Sequence, residues 1–264
     1  MNTLSRRCFL ASAPVGVVGV AGLAATQPAS ILDDTVLETY PGTPGDRASE
    51  FVAASHGRTD RVREMLAEDA GLAKAAWDWG FGDWESAIEA ASHTGQIEII
   101  ELLIAHGARP TVFTLATLDA IDSVRPALES IPNIDNLEGP HSISLYRHAE
   151  LGKADRVLDY LQNRGITDTN PFATERESAE KYFGTYAWSD ESEDRFLVDW
   201  SERISSLRIK RPKKVARNLI PLGDHAFSPA GARHVKLRFE MSMNSISKLI
   251  IPWAGMTLEA NRIS

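Results

Sequence analysis

The sequence predicts an α + β chain whose two kinds of structure occupy separate segments: a helical solenoid of about four repeats, then a small antiparallel β barrel or curved sheet. Three observations predict it. A helix–turn–helix spacing recurs four times before residue 170. From Tyr182 onward the apolar period drops to two. Charge changes sign at the same place. Residues 31–178 hold 12 Lys/Arg against 26 Asp/Glu, a balance of −14; residues 179–264 hold 14 against 10, or +4; two leader arginines bring the total to −8. Such asymmetry divides the chain, and the acidic larger part argues against nucleic acid as its partner.

Residues 1–30 have the composition of an export signal: a short basic start, an apolar run from Phe9 to Ala25, then small residues. Within them Ser5-Arg6-Arg7-Cys8-Phe9-Leu10 resembles the twin-arginine translocation motif. That resemblance implies bacterial export of a folded protein to the periplasm or cell surface. The run reaches ~17 residues, the bottom of the membrane-spanning range, so the segment would meet a membrane only if left uncleaved. Its glycines and alanines make it weakly hydrophobic, and cleavage is expected near Ala24–Ala29. Cys8 is the sole cysteine, so the mature chain is expected to hold no disulfide and no thiolate. Residues 31–47, with Pro41 and Pro44 and without sustained periodicity, read as a linker.

The repeats follow over residues 48–170. Ala53–Leu66, Ala91–Ile104, Leu115–Leu128 and His148–Leu161 align on a turn position occupied by Gly57, Gly95, Asp119 and Gly152. Three residues on stand Asp60, Glu98, Asp122 and Asp155; five on stand Val62, Ile100, Val124 and Val157. These residues resemble ankyrin repeats, and Ser86–Thr111 lies along the ankyrin pattern without a gap. The key positions are 38, 24 and 33 residues apart, so the first interval is long and the second short. Copy three departs from the pattern at Asp119 and carries Pro126 inside its second helix, which predicts irregularity. Each copy has an apolar face, such as Ile99, Ile100, Leu102 and Leu103, that only stacking can bury.

The long interval contains Trp77, Trp79, Phe81 and Trp84 around Gly80 and Gly82. The ankyrin resemblance makes this a finger with an inserted loop, and fingers and inner helices form the face that such proteins use for partners. Aromatics there are the usual hot spots. The other reading is a cap: Trp77 and Trp79 fold back over the end of a short stack, and Trp84 packs.

Residues 171–178 are a second linker, and residues 179–264 the β segment. Candidate strands are 184–188, 195–200, 206–210, 218–222, 235–241, 247–253 and 257–262. In the fifth, Val235, Leu237, Phe239 and Met241 face one way and Lys236, Arg238 and Glu240 the other. Tyr182–Tyr186 and Leu219–Glu240 resemble a small β domain appended to bacterial serine β-lactamase-like hydrolases, which implies an accessory role without catalytic residues. If this segment binds a small ligand or envelope component, Tyr186, Trp188, Trp200 and Trp253 would line the site.

Signals for chemistry are sparse. None of the seven histidines forms an HExxH helix, and His56, His93 and His148 fall in helix–turn–helix segments where packing and turn hydrogen bonds account for them. His141, after Gly139-Pro140, is the histidine to test if an activity is found. Ser245-Ile246-Ser247-Lys248 spells S-x-x-K, but it leads into a strand, where positions three apart point to opposite faces. The basic run Arg208–Arg217 reads as a solvated hairpin. The sequence therefore predicts an exported, non-enzymatic module that binds a protein partner, without metal or other cofactor.

Overall fold

The computed structural model describes residues 41–131, 137–168, 170–189, 193 and 195–264. The predicted leader, most of the first linker and most of the acidic turn near residue 190 lie outside these. Residues 41–264 form one compact unit.

Four helix pairs come first. They are α1 (Gly45–Ala54) with α2 (Thr59–Glu68), α3 (Ala87–Ser92) with α4 (Ile97–Ala105), α5 (Val112–Thr117) with α6 (Ile121–Ser130), and α7 (Leu145–Gly152) with α8 (Asp155–Asn163). Their starts are chemically marked: Ser86 and Glu89 form a reciprocal capping box, and Ser144 accepts from Arg147 N. The aliphatic position shared by the four copies is fully buried throughout, as Val62, Ile100, Val124 and Val157. One core gathers Phe51, Met65, Ile99 and Leu103 from the first two pairs, and another gathers Phe113, Leu128, Leu145 and Leu161 from the last two. Copy three is more regular than expected, since α6 runs through Pro126. Asp119 adopts the left-handed conformation (φ 55°) where copy two has Gly95 (φ 67°). Its carboxylate accepts from Val157 N at 2.9 Å, so one acid replaces a glycine and ties copy three to copy four.

Between the first two pairs lies a hairpin, β1 (Ala76–Asp78) and β2 (Trp84–Ser86), with Trp77 opposite Glu85. The sequence offered only a loop here.

A short helix α9 (Arg176–Ala179) leads into a closed antiparallel barrel. Its strands are β3 (Gly184–Ala187), β4 (Arg195–Ser201), β5 (Ser206–Lys210), β6 (Arg217–Gly223), β7 (Ala226–Pro229), β8 (Leu237–Ser242), β9 (Ser245–Trp253) and β10 (Met256–Arg262). Each pairs with its chain neighbour, and β10 closes the ring on β3 through Asn261–Ala187 and Arg262–Tyr186. The sequence missed β7, which is four residues long and ends on a proline. Met241 was expected inside but is 48% exposed. A register shift between Glu240 and Met241 turns it outward, as a bulge does.

Side chains fill the barrel interior. Tyr186 is fully buried in edge contact with Phe239, and its hydroxyl donates to Tyr182 O at 2.8 Å. Among the described residues no helix is long and apolar enough to cross a membrane.

Candidate metal centre

The tryptophan-rich hairpin is organised by backbone first. The Asp78 carboxylate accepts from Gly80 N at 2.8 Å and Gly82 N at 3.1 Å, while Gly80, Phe81 and Gly82 all have positive φ. This tight turn returns the chain as a strand, in which alternate residues share a face. Asp83 and Glu85 therefore point inward, at 1% and 0% exposure, and Trp84 between them points out at 63%.

Two buried carboxylates two residues apart are costly unless charge and hydrogen bonds meet them. Three histidines do so for Glu85. His93, the residue that ends α3, places Nε2 2.6 Å from Glu85 Oε1. His141 Nε2 lies 3.3 Å from the same oxygen, and His56 Nε2, from the turn after α1, lies 3.5 Å from Oε2. The rings also touch edge to face, His56–His93 at 4.9 Å and His93–His141 at 5.4 Å between centroids. One donor atom from each of His56, Glu85, His93 and His141 lies within 4.8 Å of the others.

A second layer orients this group. His56 Nδ1 is 3.1 Å from Val52 O, and His141 Nδ1 is 2.6 Å from Asp83 Oδ2, so in both rings the Nε2 atom is left facing the centre. Trp79 donates its indole N–H to Glu85 Oε2 at 2.7 Å. His141 has φ 61°, a left-handed conformation that non-glycine residues seldom adopt; its backbone N–H donates to Asp83 Oδ1 at 3.0 Å. Arg217 on β6 donates to Asp83 Oδ2 at 2.7 Å. The barrel thus reaches the hairpin through Asp83.

Electrostatics follow from these contacts. Burial pushes the Glu85 carboxyl up, but hydrogen bonds and charge from His141 and His93 outweigh it, and the net shift is well below the ordinary range. Burial lowers His141, yet hydrogen bonds to Asp83 and Glu85 prevail and raise it to about 9. Burial lowers His56, with Glu85 opposing and His93 adding to the shift. His148 lies behind this cluster with its Nδ1 2.8 Å from Ser92 Oγ; burial, then the nearby His93, lowers it to about 3.

The structure brings together residues that the sequence had assigned to packing, and adds Glu85 and Asp83, which it had not singled out. His141, the histidine marked for testing, is one of them. Of the predicted partner-binding residues, Trp77 and Trp79 pack against the helical core, Phe81 against the barrel core, and Trp84 is exposed where packing had been expected. Of the predicted ligand-lining residues, Tyr186 is in the barrel core, and Trp188 and Trp200 are half-buried against it. Trp188 meets Phe196 at a tilt, 4.9 Å between ring centroids, and the Arg211 guanidinium lies over its ring. The side chain of Trp253 lies outside those described. Ser245 and Lys248 stand on β9, and Lys248 pairs with Glu259 at 2.7 Å, as the strand reading of S-x-x-K requires.

No family model matches this chain, and no curated protein matches it.

Proposed function

We propose that this protein binds a divalent transition-metal ion through His56, Glu85, His93 and His141. One observation carries the reading: four donor atoms of metal-binding type, from four separate segments, lie within 4.8 Å of one another. Three imidazole nitrogens and a carboxylate suit zinc, iron, nickel or copper better than magnesium or calcium, which prefer oxygen. Zinc bonds of about 2.0–2.1 Å set tetrahedral ligand separations near 3.4 Å. The 3.3 Å contact of His141 to Glu85 Oε1 stands near that separation, the 2.6 Å contact of His93 to the same oxygen has to lengthen, and His56 stands 3.5 Å from the other oxygen, Oε2. The second layer supports the reading further, because ligating histidines characteristically give their other ring nitrogen to a carbonyl or carboxylate.

Such an ion would join the α1–α2 turn, the hairpin, the end of α3 and the loop before α7 at one point. In a chain with no cysteine after residue 8, it would serve as the cross-link that a disulfide supplies elsewhere. The four helix pairs themselves we read as ankyrin-type repeats, on the recurring turn and aliphatic positions.

The test is metal analysis of the full chain after dialysis, followed by zinc and cobalt titration of chelator-treated protein. One ion per chain is expected, with thermal stability rising on addition of metal, by about 2.7 kcal/mol when free metal is a hundred times its dissociation constant. His93→Ala and Glu85→Gln should each lose the ion. Binding that is absent in the parent chain, or unaltered by both substitutions, would falsify the proposal.

A further inference from the structure

We infer that Arg217, a barrel residue, is a positioning residue of this metal centre, acting through Asp83 on His141. The inference rests on the metal reading and adds a role for the barrel that the four ligands alone do not imply.

The chain of contacts is short. Asp83 grips His141 twice, with Oδ1 accepting from the backbone N–H at 3.0 Å and Oδ2 bound to ring Nδ1 at 2.6 Å. Those two contacts fix both where the loop sits and how the ring is turned, and hence where Nε2 points. Asp83 in turn is held by the barrel. Arg217 Nη1 donates to Oδ2 at 2.7 Å, with both side chains almost wholly buried, at 7% and 1% exposure. From the other side Gly231, in the β7–β8 connection, presses on the same carboxylate: a Cβ at that position would stand 1.9 Å from Asp83 Oδ1. The adjoining Ser142 Oγ accepts from Gly231 N at 2.9 Å.

Arg217 uses only part of its hydrogen-bonding capacity there. Its Nε and Nη2 are buried with no hydrogen-bond partner. A guanidinium commonly meets a carboxylate through two parallel bonds, whereas this one gives a single nitrogen, Nη1, to an oxygen shared with His141, whose Nδ1 also stands 3.2 Å from that nitrogen. A buried arginine that leaves two nitrogens unmatched fits a role as holder of Asp83 Oδ2 better than a role as a stabilising ion pair.

Helical region and barrel meet through a second ion pair as well, Arg233 with Glu138, near the same loop but without contact to a proposed ligand. That pair makes the inference testable against general docking. It is partly exposed, at 45% and 27%. Both pairs help to hold the barrel in place, but Arg217 alone touches the carboxylate that orients His141.

The experiment uses the full chain and Co²⁺ as the probe. Affinity is read by competition with a chromophoric chelator, and coordination by the visible d–d absorption of the bound ion. Folding is checked in parallel by circular dichroism and thermal melting. Arg217→Met and Asp83→Asn are expected to weaken Co²⁺ binding 10- to 100-fold, the usual effect of losing an outer partner, and to shift the absorption bands. Arg217→Lys, which keeps a donor and the charge, is expected to recover part of the affinity, and its fold is the least perturbed. Arg233→Gln is expected to leave both affinity and spectrum as in the parent.

Equal affinity and an unshifted spectrum in Arg217→Met, Arg217→Lys and Asp83→Asn would overturn the inference while leaving the metal centre standing. So would an equal loss in Arg233→Gln, because the effect would then be docking of the barrel in general. If Arg217→Met does not fold, Arg217→Lys and Asp83→Asn carry the comparison. Failure of the parent chain to bind Co²⁺ or Zn²⁺ at all is a different result, and it removes the metal reading itself.

Discussion

At the scale of single side chains, the indole of Trp79 makes one contact that decides its role. Its N–H reaches Glu85 Oε2 at 2.7 Å, and Glu85 has no exposure through which water could replace it. Leaving such an oxygen short of a donor costs about 1–3 kcal/mol. Trp79→Phe should therefore lower stability by that order and weaken Co²⁺ binding about tenfold. Trp77→Phe should lower the affinity less, since Trp77, though opposite Glu85 across the hairpin, packs on the helical core and over Gly45, and the indole hydrogen bond to Glu85 comes from Trp79. Competition titration of the two variants side by side decides the point; equal affinities would show that Trp79 does not position the carboxylate. Trp84, one residue from Glu85, faces solvent because strand alternation turns it away.

Among the elements, the helix pairs show how closely their ends pack. Gly152 ends α7, and a Cβ there would stand 2.1 Å from the carbonyl oxygen of Thr117 at the end of α5. Alanine has the better helix propensity by about 1 kcal/mol, but a clash with backbone cannot be relieved by turning a side chain. The steric cost wins. Gly152→Ala should destabilise the chain by at least about 2 kcal/mol, measured as a lower denaturation midpoint at unchanged slope. A more stable variant would mean that the copies are more loosely stacked than this approach requires. The hairpin has the opposite character. Its strands are three residues each, too short for a period to be legible, so its glycines and aromatics could be read along the chain but its pairing could not. Strand β7 escaped notice for the same reason, and the bulge in β8 reversed one side chain that alternation had put inside.

Over the whole molecule, buried histidine sets an acid limit. His148 has no exposure, and its Nε2 has no hydrogen-bond partner. Its folded value near 3 stands against an ordinary value of 6.5. Between those two values the unfolded chain takes up a proton that the folded one refuses, so stability must fall as pH drops from about 6.5 toward 3. The shift corresponds to a loss on the order of 4–5 kcal/mol across that window, with the full contribution present above it. Below about 6.5 the raised His141 no longer changes the balance, so denaturant titrations at pH 6 and 4.5 should show the decline, and His148→Gln should flatten it. An equally steep decline in the variant would assign the acid sensitivity to other groups. The same scale holds the link between helices and barrel. Residues 41–264 form one compact unit, and Asp83, buried between His141 and Arg217, is paired with an arginine 134 residues further along the chain.

By itself the sequence determined what periodicity can encode: turns at Gly57, Gly95 and Asp119 and one beside Gly152, where Lys153 takes the left-handed position, a buried aliphatic five residues after each marked position, and a change to strands after residue 182. These are local regularities, repeated often enough to survive one irregular copy. Only the tertiary structure decided the candidate site. His56, His93 and His141 are 37 and 48 residues apart, intervals that match no ligand motif. A faint signal existed, since His56 and His93 stand one and two residues before the glycines of copies one and two, positions that stacking brings together. Glu85 and Asp83 gave none, because their inward direction depends on a turn made by Asp78, Gly80 and Gly82. His141 faces them only because its backbone is left-handed and Asp83 holds it there. Convergence of side chains from four segments is set by turn geometry and by packing between elements, and no period along the chain records either.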